Sequence, residues 1–311
     1  GLNVQGVPIE RVLDEAEQKI FKIGEEGSRM KEGFQPMESL VVQLLDRVQE
    51  MADNPVDVTG VPTGFADLDR MTSGLQAGDL VVLAARPSMG KTAFSVNIGE
   101  NVAIDSGLPV AVFSMEMGGA QLAMRMLGSV GQLDQHRLRT GRLNDEDWPR
   151  LTHAIQKMND AQLFIDETPA LNPIELRARA RRLSRQCGKL GLIIIDYLQL
   201  MSGGSRSENR QNEISEMSRG LKALAREMEA PVIALSQLSR APDARTDHHP
   251  VMSDLRESGS IEQDADIVMF LYRDDYYKED SEKRNIAECI VAKNRHGETG
   301  KVELRWMPEY T

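Results

Sequence analysis

Residues 85–92 read Ala-Arg-Pro-Ser-Met-Gly-Lys-Thr and follow directly on the apolar run Leu80-Val81-Val82-Leu83. A buried strand that runs into such a turn and then into a helical stretch (Phe94–Ala103) restricts the chain to the α/β class. The turn leaves backbone N–H groups pointing inward, and the next helix adds the positive end of its dipole. Together they make a cradle for a polyphosphate. Ser88, Met89, Gly90, Lys91, Thr92 and Ala93 are the residues expected to form it. Lys91 supplies a mobile charge for the β- and γ-phosphates of ATP, and Thr92 a hydroxyl for the Mg²⁺ that accompanies them. The pattern asks for Gly where Ala85 stands, but Gly90-Lys91-Thr92 is intact and Pro87 stiffens the turn.

At 311 residues the chain can bury a full α/β core and still carry an appendage. It has no apolar run of membrane-spanning length and no signal-peptide pattern, so no membrane partner is expected. Cys187 and Cys289 stand apart, without metal or redox spacing, and read as buried thiols of a reducing cytoplasm. The first residue is Gly, which fits a piece of a longer protein. The net charge of −11 argues against a protein that coats nucleic acid. That charge is uneven. Residues 1–60 hold 12 acidic and 6 basic side chains, and residues 61–311 hold 36 and 31. A local basic channel in the larger part remains compatible with the composition.

The spacing of Ile9, Leu13, Ala16 and Ile20, with Phe21 beside them, predicts an amphipathic helix over 9–23, set off by Gly and Pro on one side and Gly on the other. From the pattern alone, packing on its own domain is the simpler reading and docking on a neighbouring subunit the alternative. A second helix is predicted over Met37–Met51. The boundaries expected are a linker over 1–30 and an ATPase domain over 31–311. Beyond the phosphate loop, strands are predicted at Pro109–Ser114, Leu163–Asp166, Leu192–Asp196, Val232–Ser236 and Ile267–Tyr272. Helices are predicted from Pro173, capped by Asn172, and over Asn209–Glu229. Ile286–Lys293 and Lys301–Trp306 can pair as a hairpin. This alternation predicts a mainly parallel sheet flanked by helices, with an antiparallel edge at the end and ligands at the carboxyl ends of the strands.

Those strand ends carry chemistry. Leu192-Ile193-Ile194-Ile195-Asp196 delivers a carboxylate that can hold the Mg²⁺ water shell beside Thr92. Glu116, after Phe113-Ser114-Met115, can polarise a water in line with the γ-phosphate. Gln237 closes another strand, and its amide can both donate to and accept from a terminal phosphate. Lys293 and Arg295 lie two apart, on one face if the strand continues. Such a pair is ordinarily solvated, but it can also reach a nucleotide on the next subunit. Asp254-Leu255-Arg256-Glu257-Ser258-Gly259-Ser260 offers backbone amides and one charge to phosphates, after a polar stretch, Arg240–Pro250, that reads as mobile. His248-His249 lacks a third ligand at metal spacing and reads as an exposed loop pair. The arginines from Arg177 to Arg185 wrap around their helix, as on a solvated surface.

The chain resembles the carboxyl-terminal motor domain of the DnaB family of replicative DNA helicases, preceded by its linker helix. The resemblance rests on Thr63–Asp69, Ala85–Thr92, Phe113–Met117, Ile193–Gln199, Ala234–Arg240, Asp254–Asp266 and Lys293–Gly297, and covers nearly the whole chain. Arg-Glu-Ser-Gly-Ser-Ile-Glu-Gln-Asp-Ala-Asp, from Arg256 to Asp266, is its most specific part, and Ala85 is common in the family. The resemblance implies a RecA-like P-loop fold in a homohexamer with ATP and Mg²⁺ between subunits. Lys91, Thr92, Glu116, Asp196 and Gln237 would come from one subunit, and Lys293 and Arg295 from the next. It implies that Arg256, Glu257 and Gly259 line a central pore and grip single-stranded DNA, and that the 9–23 helix docks on the adjacent subunit. It further implies 5′-to-3′ translocation at the replication fork in the bacterial cytoplasm, a helicase loader, and a primase met mainly through an amino-terminal domain absent here. A RecA-like recombination ATPase is the rival reading; it shares the fold and the loop but is expected to lack the Arg256–Asp266 signature.

Overall fold

All six residues of β1 (Leu80–Ala85) are buried, so this strand must be covered on both faces. Side chains alternate along a strand, and the two faces feed two separate cores. Leu80, Val82 and Ala84 pack into one apolar cluster, and Val81, Leu83 and Ala85 into the other. The structure, a computed structural model, describes residues 8–28, 33–53, 58–196 and 207–310.

Among these residues the remaining strands are β2 (Val110–Ser114), β3 (Leu163–Asp166), β4 (Leu192–Asp196), β5 (Val232–Gln237), β6 (Ile267–Tyr272), β7 (Ile286–Asn294) and β8 (Gly300–Arg305). They form one sheet in the order β3-β2-β4-β5-β1-β6-β7-β8. β1 to β6 run parallel, and β7 and β8 add the expected antiparallel edge. The helices are α1 (Ile9–Ser28), α2 (Met37–Asp53), α3 (Ala66–Thr72), α4 (Lys91–Glu100), α5 (Gly119–Gly131), α6 (Gln135–Thr140), α7 (Asp147–Asp160), α8 (Pro173–Cys187), α9 (Ser207–Met228), α10 (Ala241–Ala244), α11 (Gly259–Asp264) and α12 (Asp274–Tyr277). Phe94 and Ile98 of α4 and Leu122 and Met126 of α5 cover one face of the sheet. Leu176 of α8 and Leu221 and Leu224 of α9 cover the other. This is a RecA-like α/β fold.

Contacts divide the chain into two compact units, Gly1–Asp57 and Val58–Thr311. The division groups α2 with α1, whereas sequence pattern places the boundary after residue 30. In the first unit the apolar stripe of α2, Leu40, Val41, Leu44, Leu45, Val48 and Met51, is exposed, and α2 buries no residue. Ile9, Leu13, Ile20 and Phe21 of α1 are exposed as well. No described helix is long and apolar enough to cross a membrane.

Local chemistry accounts for the element ends that position the rest. Asn172 caps α8, its side-chain oxygen accepting from Glu175 N at 2.8 Å, and Pro173 stands where a helix tolerates it best. Asp69 ties the segment before β1: Thr63 N and Oγ1 both donate to its Oδ1 at 2.8 Å, and Gly64 N to its Oδ2 at 3.2 Å. Gly64 (φ 86°) sits against the Asn101 side chain, which donates to Thr63 O at 2.9 Å. The Thr63–Asp69 motif is therefore a structural clasp onto the helix behind the phosphate loop, reinforced by Phe65 against Phe94 at 5.1 Å.

Three polar segments pack more closely than their sequence pattern predicts. Arg181 is buried and pairs with Glu227 of α9, which also accepts from Arg177 Nε at 3.0 Å; Arg179 bonds Asp166 at 2.7 Å. The expected solvated arginine surface is instead a stitched seam, because one carboxylate on the facing helix neutralises guanidinium groups that would otherwise be costly to bury. The Arg240–Pro250 stretch is held by Arg245, which forks onto both oxygens of Asp254 at 2.7 and 2.8 Å. His248 stacks on Tyr277 at 4.1 Å, and His249 Nε2 lies 2.7 Å from buried Glu288. The histidine pair is thus half-buried rather than a free loop pair.

Glu100, at the end of α4, is 6 % exposed. Burial pushes its carboxyl up to about 8, against the opposing hydrogen bond from Ser129. Between its ordinary value of 4.5 and about 8 the folded state holds a proton that the unfolded chain has lost. Stability contributed by this site therefore falls as pH rises through that window. Glu100→Gln should raise the thermal midpoint more at pH 8 than at pH 5, measured by calorimetry across pH. An equal shift at both would remove this assignment.

Candidate functional site

The carboxyl ends of β1, β2, β4 and β5 open into a cleft of 560 Å³ lined by residues that include Ser88, Gly90, Lys91, Thr92, Ala93, Glu116, Arg125, Gln237, Arg273 and Trp306. The loop after β1 needs left-handed backbone at Ser88 (φ 67°) and Gly90 (φ 95°). Only Gly suits position 90. A Cβ there would lie 2.1 Å from Trp306, besides adopting a strained φ. Gly90 is also the N-cap of α4, so the first N–H groups of that helix face the cleft.

Strand register brings the acidic groups together. Ser114 of β2 pairs with Asp196 of β4, and Met115 N donates to Asp196 O at 2.8 Å. Glu116 therefore emerges just past the point where Asp196 ends its strand. Asp196 is 3 % exposed; its Oδ2 accepts from Thr92 Oγ1 at 3.4 Å, and its Oδ1 is buried with no hydrogen-bond partner. Burial, and then the negative charge of Glu116, push the Asp196 carboxyl up to about 6, against the pull of Lys91 and the Thr92 hydroxyl. Burial lowers the pKa of Lys91, while Asp196 and Glu116 oppose that shift. Ala85 pairs with Gln237, which puts the Gln237 amide at the loop itself. Lys91, Thr92, Glu116, Asp196 and Gln237 thus meet as expected. An oxygen without a partner beside a threonine hydroxyl suits a water carried by a divalent cation.

Sequence pattern missed three cleft residues. Arg125 lies on α5 and acts on the charge of Asp196. Arg273 Nη2 donates to Ser88 O at 2.7 Å, and its guanidinium lies 4.3 Å from the ring centre of Trp306. Arg273 directly follows β6, and the strand-end rule that exposed Asp196 points to it too. Trp306 follows β8 and carries no local signal.

Lys293 and Arg295 lie elsewhere. β7 stops at Asn294, so Arg295 belongs to the turn rather than to the strand face. Arg295 Nη1 bonds Asp266 Oδ1 at 2.8 Å, while Asp266 Oδ2 accepts from Leu80 N at 2.8 Å. Leu80 begins β1 and the phosphate loop follows its far end. The pair is therefore at the opposite edge of the sheet from its own cleft, separated by six residues at roughly 3.3 Å each. The side chains of residues 256–259, and so those proposed for Arg256, Glu257 and Gly259, lie outside the described ones. Residues 197–206 are likewise outside.

Residues 60–311 match the family described as the DnaB-like helicase C terminal domain. The chain belongs to this family. It is 52 % identical over 303 residues to the replicative DNA helicase DnaB of Geobacillus stearothermophilus, covering 97 % of this chain and 66 % of that protein. It is 51 % identical over 303 residues to the replicative DNA helicase DnaC of Bacillus subtilis (strain 168), with the same coverage. The chain thus spans just under two thirds of these relatives. Among solved structures, an isolated ATPase domain superposes with a TM-score of 0.84 at 39 % identity, covering 89 % of this chain and 98 % of that one. A DnaB-like replicative helicase, described with its interactions with primase, superposes with a TM-score of 0.81 at 37 % identity, covering 96 % and 74 %. In the DnaB-like chain, the phosphate loop, the Asp196 strand end and the Lys293–Arg295 turn all fall within the matched region.

Proposed function

We propose that this DnaB-like chain is the ATP-driven motor of a ring-shaped helicase that moves 5′-to-3′ on single-stranded DNA and unwinds duplex at the replication fork. The observation that carries the reading is the separation of two half-sites. Lys91, Thr92, Glu116, Asp196 and Gln237 share the cleft, whereas Lys293 and Arg295 stand at the other edge of the sheet. A basic pair that cannot reach its own nucleotide can serve a neighbour's, and a closed ring of six gives every subunit one such neighbour.

Within the cleft, the α4 amides and Lys91 bind and orient the triphosphate. Thr92 Oγ1 and the unpartnered Asp196 oxygen are the groups that would hold Mg²⁺, directly and through water. When bound, Mg²⁺ neutralises phosphate charge and holds the reacting oxygens in place. Glu116 accepts the proton of the attacking water, and Gln237 bonds the terminal phosphate. Lys293 and Arg295 of the neighbouring subunit steady the charge that develops on the phosphoryl oxygens. The exposed apolar stripes of α1 and α2 support assembly, with the 9–23 segment docking on an adjacent copy.

A helicase loader and primase are the proposed protein partners. Primase would be met mainly through a segment upstream of this chain, in keeping with the primase interactions named for one structural relative. DNA contacts fall to Arg256, Glu257 and Gly259. A net charge of −11 disfavours a general coat, so the grip is local and repeated around the ring. Arg256→Ala should weaken single-strand binding and DNA-stimulated turnover while sparing basal ATPase and ring mass. Equal affinity of variant and parent across a salt titration would place the contact on other residues.

A further inference from the structure

Lys293 and Arg295 are fastened to another element. Lys293 Nζ donates to Glu262 O at 2.6 Å, and Arg295 Nη2 donates to Gln263 O at 3.1 Å. Both oxygens belong to the last turn of α11, where carbonyls lack partners inside the helix and cations are favoured by its dipole. Arg295 Nη1 also holds Asp266 Oδ1. That carboxylate is rooted in the sheet, because Oδ2 takes Leu80 N at 2.8 Å and Lys222 Nζ at 2.6 Å. Asp266 is buried, and although burial alone would raise its carboxyl, Lys222, the Leu80 amide and Arg295 hold it below the usual range. The Arg295 guanidinium therefore spans a fixed point in the sheet and a short helix.

The same turn is pinned from behind. Arg295 N donates to Asp266 O at 2.9 Å, and His296 Nε2 lies 2.8 Å from Asp79 Oδ2. The turn cannot easily move alone, so a change in the direction of Lys293 and Arg295 must enter through α11. α11 has six residues and begins at Gly259, where the candidate DNA segment ends. From Gly259 to Gln263 the rise is only about 6 Å. α9 braces it: Ser218 Oγ donates to Asp264 Oδ2 at 2.6 Å and to Ser260 O at 3.3 Å, and the hydroxyls of Ser215 and Ser260 lie 2.8 Å apart. The Arg295 side chain is 45 % exposed, so exchange of its Asp266 contact for a phosphate on a neighbour is cheap.

We infer that Asp266 and α11 position the trans-acting pair, and that α11 carries displacement of the 256–259 segment directly to Lys293 and Arg295. This rests on the trans and DNA roles proposed above. Asp266 and Ser218 are positioning residues: neither touches nucleotide or DNA. The coupling joins one subunit's DNA contact to hydrolysis at the interface it completes, and linkage makes it reciprocal.

The test is steady-state ATPase of the assembled protein, with and without single-stranded oligonucleotide. In Ser218→Ala, basal turnover and the KM for ATP should hold, while stimulation of kcat by DNA should fall about fivefold or more. Asp266→Asn keeps an acceptor for Leu80 N but loses the charge pairs. It should lower kcat both with and without DNA at an unchanged KM. A purely structural defect would instead lower the thermal midpoint and basal turnover of Ser218→Ala together, which would overturn the inference. So would parental DNA stimulation in Ser218→Ala, which decides the matter even if Asp266→Asn does not fold. The underlying trans role is tested separately by mixing Arg295→Ala with Lys91→Ala subunits. Recovery in that mixture together with parental stimulation in Ser218→Ala sinks the coupling alone, whereas absence of recovery removes the trans role itself.

Discussion

Glu116→Gln should bind ATP about as well as the parent and hydrolyse it roughly 10²–10⁴-fold more slowly. The substitution keeps the size and hydrogen-bonding reach of the side chain and removes only its capacity to take a proton. Glu116 is exposed at the cleft, just past the end of the Asp196 strand in the paired register, whereas Asp196 is buried against Thr92. Two carboxylates with such different surroundings are suited to different tasks. The buried one holds a cation's water, and the exposed one meets the attacking water. Lys91→Ala is the contrasting variant. It should lose nucleotide binding itself, because the cradle keeps its amides but not its mobile charge. Equilibrium binding of a fluorescent ATP analogue and single-turnover hydrolysis separate the two effects. Parental hydrolysis by Glu116→Gln would transfer the proton-accepting role to another group.

Arg295→Ala should lower kcat by about 10³-fold or more if the guanidinium acts on a neighbour's γ-phosphate. The loss should be repairable in mixed assemblies. A Lys91→Ala subunit has a dead cleft and a sound turn; an Arg295→Ala subunit has the reverse. Placed side by side in one order, they rebuild one complete interface, so a mixture should hydrolyse ATP faster than either variant alone. The geometry leaves little room for a cis explanation. Arg295 is tied to the start of β1 through Asp266, and the phosphate loop leaves the end of that strand. Absence of recovery, with subunit exchange verified by mass spectrometry, would count against action across the interface.

Much of this architecture is legible in the chain because it is encoded locally. Apolar runs such as Leu192–Ile195 specify buried strands, and a turn built on Gly90-Lys91-Thr92 after a strand leaves few alternatives to a phosphate cradle. A carboxylate at the end of a buried strand must emerge at the sheet's edge, so Asp196 and Glu116 could be nominated without knowing strand order. Asn172-Pro173 marks a helix start by the chemistry of its first turn. What the tertiary structure alone decided are contacts between residues distant in sequence. Thr92 meets Asp196 across 104 positions, and Arg273 meets Ser88 across 185. Trp306 closes over Gly90 because β8 happens to end there. Arg181 disappears beneath Glu227, though its own helix pattern suggests solvent. Arg295 finds Asp266 and the α11 carbonyls, and this directs it away from its own cleft. Periodicity reports the local backbone and the side of an element that is buried. Which partner waits on that side depends on sheet order and register, which arise from the packing of the whole chain and leave no mark within any one segment.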